Sequence, residues 1–327
     1  MLLKIENILR FVVYLLRYFP DYICDLINYV KHSNKKYKSI DTKTQSISKI
    51  VSLYHVIEKG LSMKKSRPGF GIDRINSLIY YLELFSDNNE ISSSIQYKTA
   101  IIVLKKYHDF NLSQGVTIEK LSLFLEKNNL VDKEDSINGG TKKIKRISRK
   151  SSENLTFSEV VNIRSSVRFF NDEIVPENDV LEALSIAHKS PSSCNRQSYR
   201  LIRVPIEKVP EVLKIQGGAN GYIENIHNLF IIGFDIESYQ GVGDRYSGYV
   251  DSSIFGTTLM YAFTSLGYQT LILNWSKPYK KNLELRKVVK LKESINISFF
   301  LAVGNIDLET IVPFSNRLDI KDIYKDA

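Results

Sequence analysis

Two guanidiniums and two hydroxyls fall within five residues at Arg164-Ser165-Ser166-Val167-Arg168. Arginine presents a planar fork of N–H donors that suits phosphate oxygens, and serine adds short donors without bulk. Taken alone, such a pattern also describes a solvated helix end. The next polar stretch narrows the choice. Ser190-Pro191-Ser192-Ser193-Cys194-Asn195-Arg196-Gln197 is a turn set between a helical pattern (Val180, Leu181, Leu184, Ile186, Ala187) and a strand pattern, Tyr199 to Val204. It gathers backbone and side-chain donors in one tight loop. A third polar set, His55 to Ser62 (H-V-I-E-K-G-L-S) followed by Ser66-Arg67-Pro68-Gly69-Phe70-Gly71, could bind an anionic or sugar-like group. His55 and Glu58, three apart on a helix, could equally well pair only with each other.

These residues need elements to position them, and the two halves of the chain differ. With 327 residues, 43% of them hydrophobic, two domains are expected. The first half reads as helices. Met1 to Val30 is amphipathic, with Ile5, Ile8, Leu9, Val12, Val13 and Leu16 at helical spacing and Arg10 and Arg17 interrupting any span long enough to cross a bilayer. Such a helix packs on a core or partner, or lies on a membrane surface. A polar loop is expected over 31–43. Further helices are expected at Gln45 to Glu58 with Gly60 as the stop, Ile75 to Phe85, Ser93 to Phe110 and Ile118 to Asn128. From 132 to 153 Lys, Ser, Gly and Asn dominate, and the stretch reads as an exposed basic linker. It gives domains at 1–131 and 154–327.

The second half alternates. Thr156 with Glu159 makes a capping box for a helix at Phe157 to Ile163, and Pro176-Glu177 opens the next. Leu229 to Phe234 and Phe299 to Gly304 are apolar runs of strand length. Asp251 is placed as the cap of a helix over Ser252 to Leu266, one side of which is small (Ser252, Ser253, Gly256, Thr257, Thr258) and open to a partner helix or flat ring. A net charge of +9 favours anionic partners. Nucleic acid is not expected, because the basic clusters lack aromatic interleaving and a recognisable nucleic-acid fold. Two cysteines, one per half, imply no disulfide framework and point to a reducing cytoplasm. No metal-ligand cluster and no Ser-His-Asp or Cys-His arrangement stands out. Gly217-Gly218 and Gly241-x-Gly243 do not form G-x-G-x-x-G between strand and helix, which excludes the dinucleotide fingerprint.

In order and spacing, Arg164, Ser166, Arg168, then Pro191, Ser192, Ser193, Asn195 and Gln197, resemble the nitroreductase family of FMN-dependent oxidoreductases. The helix ending in Leu266-Gly267, the segment Asn274-Trp275-Ser276 and the late Ser315-Asn316-Arg317 continue the likeness, which spans roughly residues 155 to 327. The chain departs from the family pattern at Ser165, where many relatives have Arg, and at Ser198-Tyr199, where many have Pro-Trp. The H-x-I-E-K-G-L-S and R-P-G-F-G pieces look like an N-terminal extension found on a subset of the family associated with surface-polysaccharide gene clusters.

The resemblance implies an α+β, nitroreductase-like FMN-binding fold: a central mixed sheet flanked by helices, preceded here by an all-helical N-terminal domain. It implies that Arg164, Ser165, Ser166 and Arg168 serve the phosphate, ribityl chain or ring edge, and that Arg317 closes on the phosphate. Pro191, Ser192, Ser193 and Gln197 would lie on the flavin, with Asn195 approaching from the other subunit of a homodimer. Asn220 would face the pyrimidine side, and Asn274, Trp275 and Ser276 would place a backbone N–H near flavin N5. The chemistry would be flavin-centred, with no side chain as acid or nucleophile. NAD(P)H would supply hydride, and a nitro compound, a quinone or a specialised saccharide-pathway intermediate would accept it. The alternative is a flavin-fold binding or scaffold protein at a membrane-associated polysaccharide assembly. On that reading the chain is cytoplasmic and peripheral to the inner membrane face, docked by its first helix.

Overall fold

The structure, a computed structural model, describes residues 2–33, 42–128, 137–152 and 154–324. Of the expected loop at 31–43, residues 34–41 fall outside that set, as do 132–136 and 153 of the expected linker and the 131/132 boundary.

Helices α1 (Leu2–His32), α2 (Lys43–Leu61), α3 (Ile72–Leu84), α4 (Asn89–Ser92), α5 (Ile95–Ser113) and α6 (Glu119–Lys127) come first. The core of α2 to α6 is built from residues at helical spacing, including Ile50, Leu53, Tyr54 and Ile57 of α2, Leu78 and Leu82 of α3, and Val103, Leu104 and Tyr107 of α5. Gly60 does not stop α2, which runs to Leu61 with Ser62 as its cap. A Cβ placed at Gly60 would sit 2.0 Å from Phe70 Cε2, so the glycine is there to admit an aromatic ring. The helix α1 lies apart from this core. Its polar edge grips the second half, where Asp25 accepts from Arg245 Nε at 2.7 Å and from the Tyr246 hydroxyl at 2.8 Å, and the Tyr18 hydroxyl donates to Gln240 O at 3.3 Å. Its apolar side, with Ile8, Leu9, Leu16, Phe19 and Ile27, faces away and is exposed.

The supposed linker contains a strand. β1 (Thr141–Lys145) pairs antiparallel with β6 (Glu309–Pro313), Ile144 opposite Thr310. Thr-Lys-Lys-Ile-Lys carries almost no apolar alternation, so the partner strand, not its own pattern, fixes it. After α7 (Arg149–Ser152), α8 (Phe157–Ile163) begins with the expected capping box, the Thr156 Oγ1 accepting from Glu159 N and the Glu159 carboxylate from Thr156 N. There follow α9 (Glu177–Ala187), β2 (Tyr199–Arg203), α10 (Val209–Gln216), β3 (Asn228–Asp235), α11 (Ser247–Ser265), β4 (Gln269–Asn274), α12 (Tyr279–Val289), β5 (Ile295–Gly304) and, after β6, α13 (Ile320–Ile323).

The main sheet has the order β2-β3-β5-β4, and its ladders are antiparallel. The one parallel feature among the described residues is a bridge from Ser166 to Thr270 on the β4 edge. Successive residues of the central strands point to opposite layers. Leu229 and Ile231 of β3, with Phe300 and Ala302 of β5, join a core shared with α10 and α12. Phe230, Ile232, Phe299 and Leu301 join the core beneath α9 and α11. All of β3 is buried, as a strand covered on both faces requires.

The helix α11 starts four residues before Asp251, which is therefore not its cap. The Asp251 carboxylate instead accepts from Ser193 N and from the Tyr239 hydroxyl, both at 3.0 Å. Of the small residues of this helix, Ser252 and Gly256 are buried, while Ser253 and Thr257 stay exposed. A Cβ at Gly256 would lie 2.3 Å from Phe299 Cζ, and Ser252 Oγ is 2.7 Å from Ser298 Oγ, so these residues bring α11 down onto its own sheet.

Candidate cofactor site

The arginine–serine segment leaves the C-terminus of α8, where Arg164 is the cap residue with extended backbone. It then runs along the β4 edge, with Val167 N donating to Thr270 O at 3.0 Å. This pairing turns Arg164, Ser165 and Ser166 into a cavity of about 620 Å3, within the ~300–1,000 Å3 of ordinary ligand sites. Val161 and Asn162 of α8, Tyr261 of α11, Lys142 of β1 and the tail residues Ser315, Asn316 and Arg317 line it, and Val51, Tyr54 and His55 of α2 form the opposite wall.

Three cations, Arg164, Lys142 and Arg317, converge there, and no carboxylate lines the cavity among the described residues. Burial lowers the pKa of Arg164, and the Arg317 guanidinium adds to that. Burial likewise lowers Lys142, helped by Arg164 and Arg317. Cations that depress one another in a desolvated recess are short of a counter-charge, which an anionic ligand would provide. Arg168 lies deeper, 8% exposed, with its Nε unpartnered. Burial lowers its pKa, and Tyr222 and Glu58 act against that. An unsatisfied buried guanidinium nitrogen is costly and suggests a missing acceptor.

The N-terminal helices hold the tail in place. Gln96 of α5 donates from Nε2 to Arg317 O at 2.7 Å while its Oε1 accepts from the Tyr54 hydroxyl, and Asn316 Nδ2 donates to Thr99 Oγ1 at 2.7 Å. The first half of the chain is thus part of the site's frame. Lys142 was hidden in the supposed linker, and Tyr261, Val51 and Tyr54 carry no local signal of a site. Only the fold brings them to it.

The remaining expected residues stand elsewhere on the same chain. Pro191, Ser192 and Ser193 line a second recess of about 440 Å3 with Tyr246, Val250, Asp251 and Ile254. The turn is tightly built. Gln197 N donates to Ser192 Oγ at 3.0 Å, and Gln197 Nε2 to Asn195 Oδ1 at 3.2 Å. Cys194, Asn195 and Gln197 have φ of 52°, 54° and 47°, with Arg196 at −72° between the last two, a cluster of left-handed non-glycine residues of the kind that persists at ligand clamps. Asn220 is on the surface beyond α10. Asn274, Trp275 and Ser276 follow the end of β4, with Asn274 Nδ2 donating to Ser276 Oγ at 2.9 Å and Asn274 O accepting from Gln216 of α10. Trp275 stands edge-on to Phe300 at 5.4 Å. A single chain therefore brings together Arg164, Ser165, Ser166 and Arg317, and keeps the 191–197 turn out of their cavity.

Residues 161–224 match the nitroreductase family model. Arg164 through Asn220 of the expected site fall within the matched segment, and Asn274 to Ser276 and Arg317 fall outside it. No curated protein matches the chain. Among solved structures, the chain is similar to a nitroreductase family protein from Streptococcus pneumoniae, with 19% identity over 53% of this chain and all of that one, at a TM-score of 0.45. It is also similar to an NAD(P)H:FMN oxidoreductase candidate from Staphylococcus epidermidis, with 21% identity over 57% of this chain and 99% of the other, at a TM-score of 0.47. A protein from Exiguobacterium sibiricum solved in complex with FMN is similar at 15% identity over 56% of this chain and all of that one, with a TM-score of 0.46.

The residues present fit FMN. Its phosphate monoester needs the cation-rich recess of Arg164, Lys142 and Arg317 with the Ser165 and Ser166 hydroxyls, whereas Arg168, buried with its Nε unpartnered, is not among the residues that line this cavity.

Proposed function

We propose that the chain is an FMN-dependent oxidoreductase that takes hydride from NADH or NADPH and passes reducing equivalents to a small organic acceptor. The supporting observation is the cavity in which Arg164, from the segment that matches the family model, meets Lys142 and Arg317 with no carboxylate among its described lining residues. FMN, when bound, supplies reversible hydride acceptance. The protein's own part is positioning. Arg164 and Arg317 neutralise the phosphate from two elements, and Ser165 and Ser166 add short donors. Arg168 offers a fixed positive charge in a dry setting, where its interaction with a ring edge is strengthened. No side chain is needed as nucleophile. A nitro compound, a quinone or a specialised saccharide-pathway intermediate is the class of acceptor we assign.

The separation of the 191–197 turn from the arginine cavity supports a homodimer with composite sites, in which Asn195 and its neighbours serve the partner's flavin. Flavin analysis of the purified protein tests the reading. One FMN per chain, with riboflavin bound far more weakly, is expected, and a protein that takes up neither contradicts it.

A second reading, a scaffold at a membrane-associated polysaccharide assembly, is favoured by one observation. The helix α1 grips the protein by its polar edge and turns its apolar side outward. None of the described helices is long and apolar enough to cross a membrane, so any contact would lie along the surface. Flotation with anionic vesicles that survives high salt, together with absent turnover, would favour this reading; protein that stays unbound and turns over would favour the first.

A further inference from the structure

The wall of the cavity that α2 supplies lies outside the segment that matches the family model. His55 lines the cavity from α2, with its side chain 35% exposed, and His55 Nδ1 lies 3.1 Å from Glu58 Oε2. Glu58 is fully buried, and its other oxygen accepts from Gly140 N at 3.1 Å. A carboxylate engaged in this way can only accept from the ring, so Nδ1 carries a proton. The ring is fixed in place, and Nε2, with no partner among the described residues, is the nitrogen left for a ligand.

We propose that His55 is a fourth cationic ligand of the anionic group in this cavity, binding it as an imidazolium through Nε2, and that Glu58 is its positioning residue. The proposal rests on the FMN reading, which makes that anion a phosphate monoester. It gives the N-terminal helical unit a direct part in cofactor retention. Glu58 of its own helix is hydrogen-bonded to the ring, and the titratable and charged groups that line the cavity with it are Tyr54, Lys142 from β1, Arg164 after α8, Tyr261 from α11 and Arg317 from the tail. An anion held among these cations is what would make an imidazolium there favourable. An imidazolium ligand of this kind should contribute more at acid than at alkaline pH.

Dissociation constants for FMN and for riboflavin, which lacks the phosphate, are to be measured at about pH 6 and about pH 8.5 for the wild type, His55→Gln and Glu58→Gln. The second ionisation of the phosphate acts on every variant alike, so the ratio to wild type isolates the ring. His55→Gln is expected to weaken FMN about tenfold at the lower pH and no more than about twofold at the higher, leaving riboflavin unchanged. In Glu58→Gln the amide donates to Nδ1 and moves the ring proton to Nε2, so a neutral donor faces the ligand and FMN affinity should keep only the pH dependence that the phosphate itself brings. Equal FMN binding by wild type and His55→Gln at both pH values, equal losses for FMN and riboflavin, or an unaltered pH profile in Glu58→Gln would each overturn the proposal while the FMN reading stands. Wild-type protein that binds neither flavin would remove the FMN reading itself, and the proposal with it.

Discussion

Arg317 differs from the other cations of the cavity in arriving from the tail, so its contribution can be removed without disturbing the sheet. Arg317→Ala should weaken FMN by roughly 10- to 100-fold, the worth of a charge-assisted hydrogen bond, and Arg317→Lys should restore only part of it because a point charge replaces a fork. Fluorescence titration would check both, and an unchanged dissociation constant for the alanine variant would contradict the role. Arg164 and Arg317 were legible in the sequence because arginine and serine at these spacings form a motif. Lys142 was not, since a lysine among lysines carries no mark of the pairing that directs it. His55 and Glu58 stood out as chemistry, but the choice between a local pair and a binding group depended on where α2 lands. In the fold the two are paired, Glu58 is buried, and His55 lines the cavity; the binding role is the proposal made above.

At the scale of elements, the helix α5 and the tail are joined through Gln96, and this joint carries a prediction. Gln96→Leu leaves the Tyr54 hydroxyl and Arg317 O without their partner, costing about 1–3 kcal/mol in urea unfolding and weakening FMN although Gln96 does not line the arginine cavity. Gly60→Ala forces a methyl into the Phe70 ring and should cost about 1–3 kcal/mol by the same measurement. The helix α1 is held partly by Asp25, whose carboxyl the Arg245 guanidinium keeps below its ordinary 3.8. A depressed carboxyl stabilises above the unfolded value and loses that contribution as pH falls through the folded one. Protection of α1 from limited proteolysis should accordingly persist at neutral pH and decline below about pH 4. Helical spacing and apolar runs made α2, α3, α5, β3 and β5 readable. The strand β1 and the early start of α11 were not, because one takes its register from β6 and the other begins at Ser247, whose local sequence gives no capping signal.

The whole molecule poses the question of how two separated groups of flavin-directed residues serve one cofactor. On the composite-site account, Arg164→Ala and Asn195→Ala chains, each inactive alone, should regain up to about one quarter of the wild-type sites when mixed and allowed to exchange, since half the dimers are mixed and each of these has one intact site. No recovery would place both residues in the same chain's site. The central claim is tested most directly by the visible spectrum of the purified, FMN-loaded protein before and after anaerobic addition of NADH or NADPH. The account predicts a yellow protein whose flavin band bleaches with at least one of the two. A colourless protein that refuses added FMN, or a bound flavin that neither nicotinamide reduces, would contradict it.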